Sequence, residues 1–310
     1  MLLIHLNKIY NFQNQIKIYK EIKMSDFKDS YIEIDNIAMR KREIGADKKE
    51  IPFVYFHIYT GFAEEADEFA KIISNDHPFI SFDARGHGKS GWSSADSYTP
   101  NNYYDDAKAE IASLNVDKII LMGSSFGAAT AIKFAAEFPE KIHTLIIDDQ
   151  PPEFPSATTK EPLLKSYERQ KNDLFDSVDQ VVQWAQKLRS RHFGWNISDE
   201  QARFWSEHAT KMNNANKRIW CHDPEVMRCL APFAGLEESD LRKDFSNIKV
   251  PFIVARRLGD GASLLSPVWE ELQNLNPNGE YLTYPEAGHP VIFTEAKEFA
   301  KDVLNFINKL

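Results

Sequence analysis

At 310 residues, 43% hydrophobic and 27% charged, the chain has an ordinary globular composition, with length for one large domain or one domain carrying an insertion. Its formal net charge of -9 argues against nucleic acid as a partner, because a phosphate backbone needs a Lys/Arg surplus to displace its counterions. No window reaches the roughly 18 apolar residues of a membrane span, and Cys221 and Cys229 are too few for a disulfide framework and lack zinc or redox spacing. Small-molecule chemistry in the cytoplasm, with reduced thiols and no metal or cofactor, is the expectation.

The opening stretch "MLLIHLNKIYNFQNQIKIYKEIK" is broken by His5, Asn7, Lys8, Asn11 and Gln13, so it forms no signal-peptide core, and no small-residue cleavage site follows. Residues 1–29 read as a poorly ordered extension, with Met24 an alternative start. From Ser30 the chain alternates short apolar runs with helical patterns. "YIEID" and "IAMRKREIG" read as paired edge strands; "IPFVYFHIYTG", "PFISFD", "DKIILMG" and "KIHTLIIDD" read as buried strands; "EEADEFAKIIS", "NNYYDDAKAEIASL" and "GAATAIKFAAEF" read as the helices between them. Continuous apolar runs are what parallel strands covered on both faces require. The rhythm stops at Asp149, resumes with "VPFIVARR", "PVWEELQNL" and "GEYLTYP", and ends in the helix "TEAKEFAKDVLNFINKL". The expected architecture is α/β, a doubly wound, mostly parallel sheet with a helical insertion: core 30–149, helical segment 150–247, core 248–310.

"GSSFG" joins a strand to a small-residue helix, and its spacing selects one serine. A G-x-S-x-G frame puts the nucleophile at the apex of a turn too sharp for side chains two residues either way. Gly123 and Gly127 flank Ser125 at those offsets, whereas Ser124 would be flanked by Met122 and Phe126. The helix that follows points its positive end at a developing oxyanion. "GHGKS" is not a phosphate-binding loop, since the glycine required five residues before Gly88 is Asp83; Asp83 to Ser90 reads as a tight loop beside the site.

With the elbow, "FDARGHGKSG", "LIIDDQPPEF" and "YPEAGHPVIF" in that order, residues 30–310 resemble the α/β-hydrolase superfamily, in its capped branch of esterases, lactonases, haloperoxidase-like enzymes and carbon–carbon hydrolases. The resemblance implies the α/β-hydrolase fold with a helical cap inserted after the sixth strand, and a Ser-His-Asp triad. His289, in the Gly-His loop after the last strand, is then the base. Chain order puts the acid after "VPFIVARR", where only Asp260 stands, although related sequences carry the carboxylate where this chain has Ser263. Asp149, at the exit of the sixth strand, is the reserve acid. The oxyanion donors implied are the N–H groups of Phe126 and Phe62; the family's His-Gly turn is replaced here by Thr60-Gly61, with loss of the buttressing histidine. Of the aromatics in the insertion, Trp184, Phe193, Trp195, Phe204, Trp205 and Trp220, most should pack helix to helix and only a few face the serine. The function implied is hydrolysis of a small to medium, largely apolar ester or lactone by water through an acyl-enzyme, the partners being an acyl substrate and water, with no nucleic acid and no membrane. Carbon–carbon hydrolysis of a diketone with the same triad, or a catalytically silent binding protein, are the alternatives.

Overall fold

A computed structural model describes residues 18–24, 26–189, 197–259 and 262–310. Nine strands form one sheet: β1 (Ile18–Met24), β2 (Phe27–Ile34), β3 (Ile37–Ile44), β4 (Phe53–Phe56), β5 (Phe79–Phe82), β6 (Ile119–Ser124), β7 (Ile142–Asp148), β10 (Phe252–Arg257) and β11 (Glu280–Tyr284), in the spatial order β1-β2-β3-β5-β4-β6-β7-β10-β11. From β5 to β11 neighbours run parallel. The first three strands attach antiparallel at one edge.

Two-residue periodicity splits each central strand between two layers. In β4, Val54 and Phe56 join one apolar cluster and Phe53 and Tyr55 the other; in β6, Ile119 and Leu121 face Ile120 and Met122 across the sheet. The first cluster is closed by α2 (Pro100–Ser113), α3 (Phe126–Glu137) and α9 (Ser266–Leu275), the second by α1 (Asp67–Ile73) and α11 (Ala296–Ile307). Helix α2 starts where its sequence says it should: the Thr99 side chain accepts from the Asn102 N–H, and Pro100 fills the first turn, where its missing N–H costs nothing. The doubly wound parallel sheet expected from the strand-helix rhythm is present.

Between β7 and β10 lie α4 (Lys160–Gln170), α5 (Val178–Arg189), α6 (Asp199–His208), α7 (Glu225–Leu230) and α8 (Arg242–Ser246). This stretch is not wholly helical, because Thr210–Met212 and Arg218–Trp220 form an antiparallel ribbon, β8 and β9. Its apolar residues build a cluster of their own, including Val181, Ala202, Trp205 and Trp220, which also takes in Phe62 and Phe293 of the sheet-bearing part.

Residue 30, the expected start of the core, falls inside β2, which begins at Phe27. Phe27 is buried in the core, and Asp29 is buried in an ion network. Arg40 of β3 donates to Asp29 at 2.8 Å, to Glu64 at 2.7 Å and to Asp83 at 2.9 Å. These carboxylates hold the fully buried guanidinium well above its ordinary pKa against the opposing cost of burial. Asp83 also accepts from the Ala63 and Lys89 N–H groups at 2.6 and 2.9 Å. At Gly88, with φ +51°, a side chain would run into the Asp83 carboxylate. The stretch Asp83 to Ser90 is therefore a tight loop organised by a buried ion network, as the sequence pattern suggested.

Candidate active site

Ser125 sits between β6 and α3 with φ 48° and ψ -115°, a conformation that costs of order 1–3 kcal/mol for a residue with a side chain. The flanking glycines explain how the turn closes. A Cβ on Gly123 would overlap the Gly127 backbone, and one on Gly127 would overlap the Phe56 carbonyl. The Gly127 N–H donates to the His57 carbonyl at 3.1 Å, so the elbow is pinned to the end of β4. Ser124 has a different task. Its hydroxyl accepts from the Tyr55 hydroxyl at 3.1 Å and donates to Asp148 at 2.7 Å.

The junction Asp148–Asp149 ties the site together. The Ser125 N–H donates to the Asp148 carbonyl and the Asp149 N–H to the Ala255 carbonyl, both at 2.9 Å. The Asp148 carboxylate accepts from the N–H groups of Val291 and Ile292, each at 3.1 Å, which fixes the start of α10 (Val291–Thr294) and with it the loop bearing His289. Burial pushes the Asp148 pKa up to about 6 despite those donors. Asp149, at φ 49°, turns its side chain the other way: its Oδ2 lies 2.8 Å from His289 Nδ1 and 3.3 Å from Arg257 Nε, with both Asp149 and Arg257 buried.

The ring nitrogen that Asp260 was expected to orient is thus held by Asp149, the reserve acid. Asp260 itself lies outside the described residues. The end of β10 brings Arg257 to this cluster.

Phe62, the expected second oxyanion donor, is fully buried. Its ring lies under the intervening helices, stacked on His208 at 6.0 Å, and the buried carboxyl group of Glu65 stands beside its backbone. Burial raises the Glu65 pKa to about 8, so this group is mostly protonated at neutral pH. The histidine thought lost from the turn is present three residues ahead of Thr60. His57 accepts from the Ala84 N–H through Nε2 at 3.0 Å and donates from Nδ1 to the Ile58 carbonyl at 2.6 Å. Burial and the neighbouring His87 lower its pKa to about 3, so it is a neutral structural brace. His87 Nε2 lies 2.6 Å from the Tyr59 carbonyl and supports the same turn. The short length of β4, which ends at Phe56, is the signal that would have placed His57 in the turn rather than in the strand.

A cavity of about 40 Å³ reaches His289. Its floor is Ile58, Tyr59 and Thr60; Ser166, Arg169, Gln170, Trp184, Trp205, Trp220 and His222 come from the segment between β7 and β10. The tryptophans pack on one another, Trp184 at 6.3 Å from Trp205 and 4.6 Å from Trp220, so the aromatic core of that segment is also a wall of the cavity. Phe204 packs on His208 at 4.3 Å, while Phe193 and Trp195 lie outside the described residues. Tyr59, Asp148, Arg257, Gln170 and His222 were not singled out as site residues by sequence reasoning, because their roles depend on elements far apart in the chain.

The profile of the alpha/beta hydrolase fold family matches residues 52–296, and the chain belongs to that family. Among curated proteins it is 24% identical over 289 residues to 2-(acetamidomethylene)succinate hydrolase from Mesorhizobium japonicum, covering 93% of this chain and 98% of that protein. It is 21% identical to a bifunctional esterase/perhydrolase from Acinetobacter calcoaceticus, covering 84% and 92%. Among solved structures, E-2-(acetamidomethylene)succinate hydrolase superposes with a TM-score of 0.77 at 23% identity, covering 91% of this chain and 99% of that one. The enol-lactonase from Burkholderia xenovorans gives 0.70 at 17%, covering 89% and 98%. These likenesses show a common fold.

Proposed function

We propose that the chain is a serine hydrolase acting on a small carboxylic ester or lactone, with Ser125 as nucleophile, His289 as base and Asp149 as acid. The observation that carries this reading is the Asp148–Asp149 junction, which holds the strained Ser125 backbone by one residue and the His289 ring by the next. With Asp149 accepting from Nδ1–H, the Nε2 lone pair is left to take the serine proton. The Ser125 oxygen forms a bond to the substrate carbonyl carbon as His289 takes its proton. The bond to the leaving alkoxide then breaks, and His289 returns the proton to that oxygen. Water, deprotonated by the same histidine, cleaves the acyl-enzyme and regenerates the serine.

For the oxyanion we propose the N–H of Phe126, at the start of α3, and that of Tyr59, in the turn braced by His57 and His87. Residues 150–247 act as the cap, since their side chains complete the cavity over His289. Its wall of three tryptophans favours an apolar body in the substrate, and its size favours a small one.

Covalent labelling by a fluorophosphonate probe tests the nucleophile. The expected result is stoichiometric labelling at Ser125 together with hydrolysis of short-chain p-nitrophenyl esters. A chain that neither reacts with the probe nor cleaves any ester would overturn the proposal.

A further inference from the structure

His222 is not used by the chemistry above, yet it lines the same cavity as Ile58, Tyr59 and Thr60 of the proposed oxyanion turn. The side chain is 1% exposed. Its Nε2 lies 2.7 Å from the Gln170 side-chain oxygen, which can only accept, so Nε2 carries the hydrogen and Nδ1 carries a lone pair. That Nδ1 is buried and has no hydrogen-bond partner among the described residues. Burial holds the ring well below its ordinary pKa, and the facing His87 and His57 and nearby Lys211 act in the same direction, so it stays neutral. Trp220 stacks against the ring at 5.7 Å and keeps its plane fixed. A buried neutral acceptor without a protein partner, on a residue that lines a cavity walled by tryptophans, is a costly arrangement unless a ligand or a water completes it.

We propose that His222 is a specificity-determining residue whose Nδ1 accepts a hydrogen bond from a hydroxyl or amide N–H of the substrate. Gln170 sets the tautomer that makes this possible. The substrate class is thereby narrowed from simple alkyl esters to small esters or lactones with a hydroxyl or acylamino group beside an apolar body. The assignment rests on the hydrolase reading only for the word substrate; the binding claim stands separately. A site built around such an acceptor discriminates against the analogue lacking the donor, because the acceptor is then left unpaired.

The test uses the full chain with Ser125→Ala, so that esters bind without turnover, and reads the emission of the cavity tryptophans. Methyl butyrate is titrated beside methyl 2-hydroxybutyrate, methyl 3-hydroxybutyrate and N-acetylglycine methyl ester. At least one donor-bearing ester is expected to bind about tenfold or more tightly than methyl butyrate. Adding His222→Phe removes the acceptor with the ring shape kept, and His222→Leu removes both acceptor and ring. Either variant that melts cooperatively should bind all four esters within about threefold of one another. The proposal is overturned if no donor-bearing ester is preferred over methyl butyrate, including if none binds, or if a folded variant retains the preference. Fluorophosphonate labelling of the unsubstituted chain reports on Ser125 independently, so failure of the donor preference and failure of the hydrolase reading give different results.

Discussion

The carboxyl ends of β7 and β10 are neighbours in one parallel sheet, with Asp148 in register with Ala255, yet they bring opposite charges to the site. The end of β7 supplies two adjacent carboxylates: Asp148 clamps the loop that carries His289, and Asp149 contacts the ring. The end of β10 supplies the Arg257 guanidinium, buried 3.3 Å from the Asp149 carboxylate. Parallel strands in register end at the same level, so a carboxylate from either end starts within reach of one histidine. The carboxylate on the His289 ring comes from the end of β7, and the end of β10 carries its counter-charge.

That contrast can be broken by substitution. Ser125→Ala serves as the reference for complete loss and should lower kcat on p-nitrophenyl acetate by about 10⁶; a residual rate within a hundredfold of the unsubstituted chain would remove the serine from the mechanism. Asp149→Asn should cost about 10⁴ in kcat, because an amide favours the wrong imidazole tautomer and cannot stabilise the imidazolium. If Asp149→Asn keeps its rate and Asp260→Asn loses it, β10 and not β7 carries the acid.

Arg257→Met leaves a buried carboxylate without its cation, and breaking such a pair costs about 3–5 kcal/mol. Urea unfolding should show that loss, with kcat falling far less than in Asp149→Asn. A stability unchanged within 1 kcal/mol would mean that Arg257 is not a counter-charge.

A smaller effect separates Asp148 from its neighbour. Its folded pKa of about 6 lies above the ordinary 3.8, so between those values the folded chain binds more protons than the unfolded one. The group therefore contributes stability that is present below pH 3.8 and is lost as pH rises through 6, in total about 3 kcal/mol. Asp148→Asn should remove that part of the slope in melting temperature between pH 4 and 6; a slope identical to the unsubstituted chain would contradict it. The smallest effect expected is that of Asp260→Asn, within about threefold of the starting kcat in a stopped assay. That outcome would complete the contrast between the two strand ends.

How much of this could be read beforehand differs by residue. Ser125 with Gly123 and Gly127 was legible because the elbow is local: five consecutive residues must satisfy one backbone turn, and that demand appears directly in their side chains. His289 was legible for a related reason, its Gly-His loop following the last strand. The strands and helices of the sheet were legible because two-sided burial leaves uninterrupted apolar runs. Tyr59 and His57 were misjudged by where the strand ends, a matter of a few residues that periodicity does not resolve.

What the sequence by itself determined, then, is the order of strands and helices, the elbow and the serine at its apex. Each follows from steric or burial constraints acting over a few neighbouring residues. Tertiary structure alone decided that Asp149 meets His289, that Arg257 pairs with Asp149, and that His222 meets Gln170 beside a cavity walled by tryptophans. These are pairings between residues dozens of positions or more apart, or between side chains whose direction a single backbone angle sets. A hydrogen bond depends on the distance and angle between two atoms, which no one-dimensional pattern contains until the sheet has brought its strand ends together.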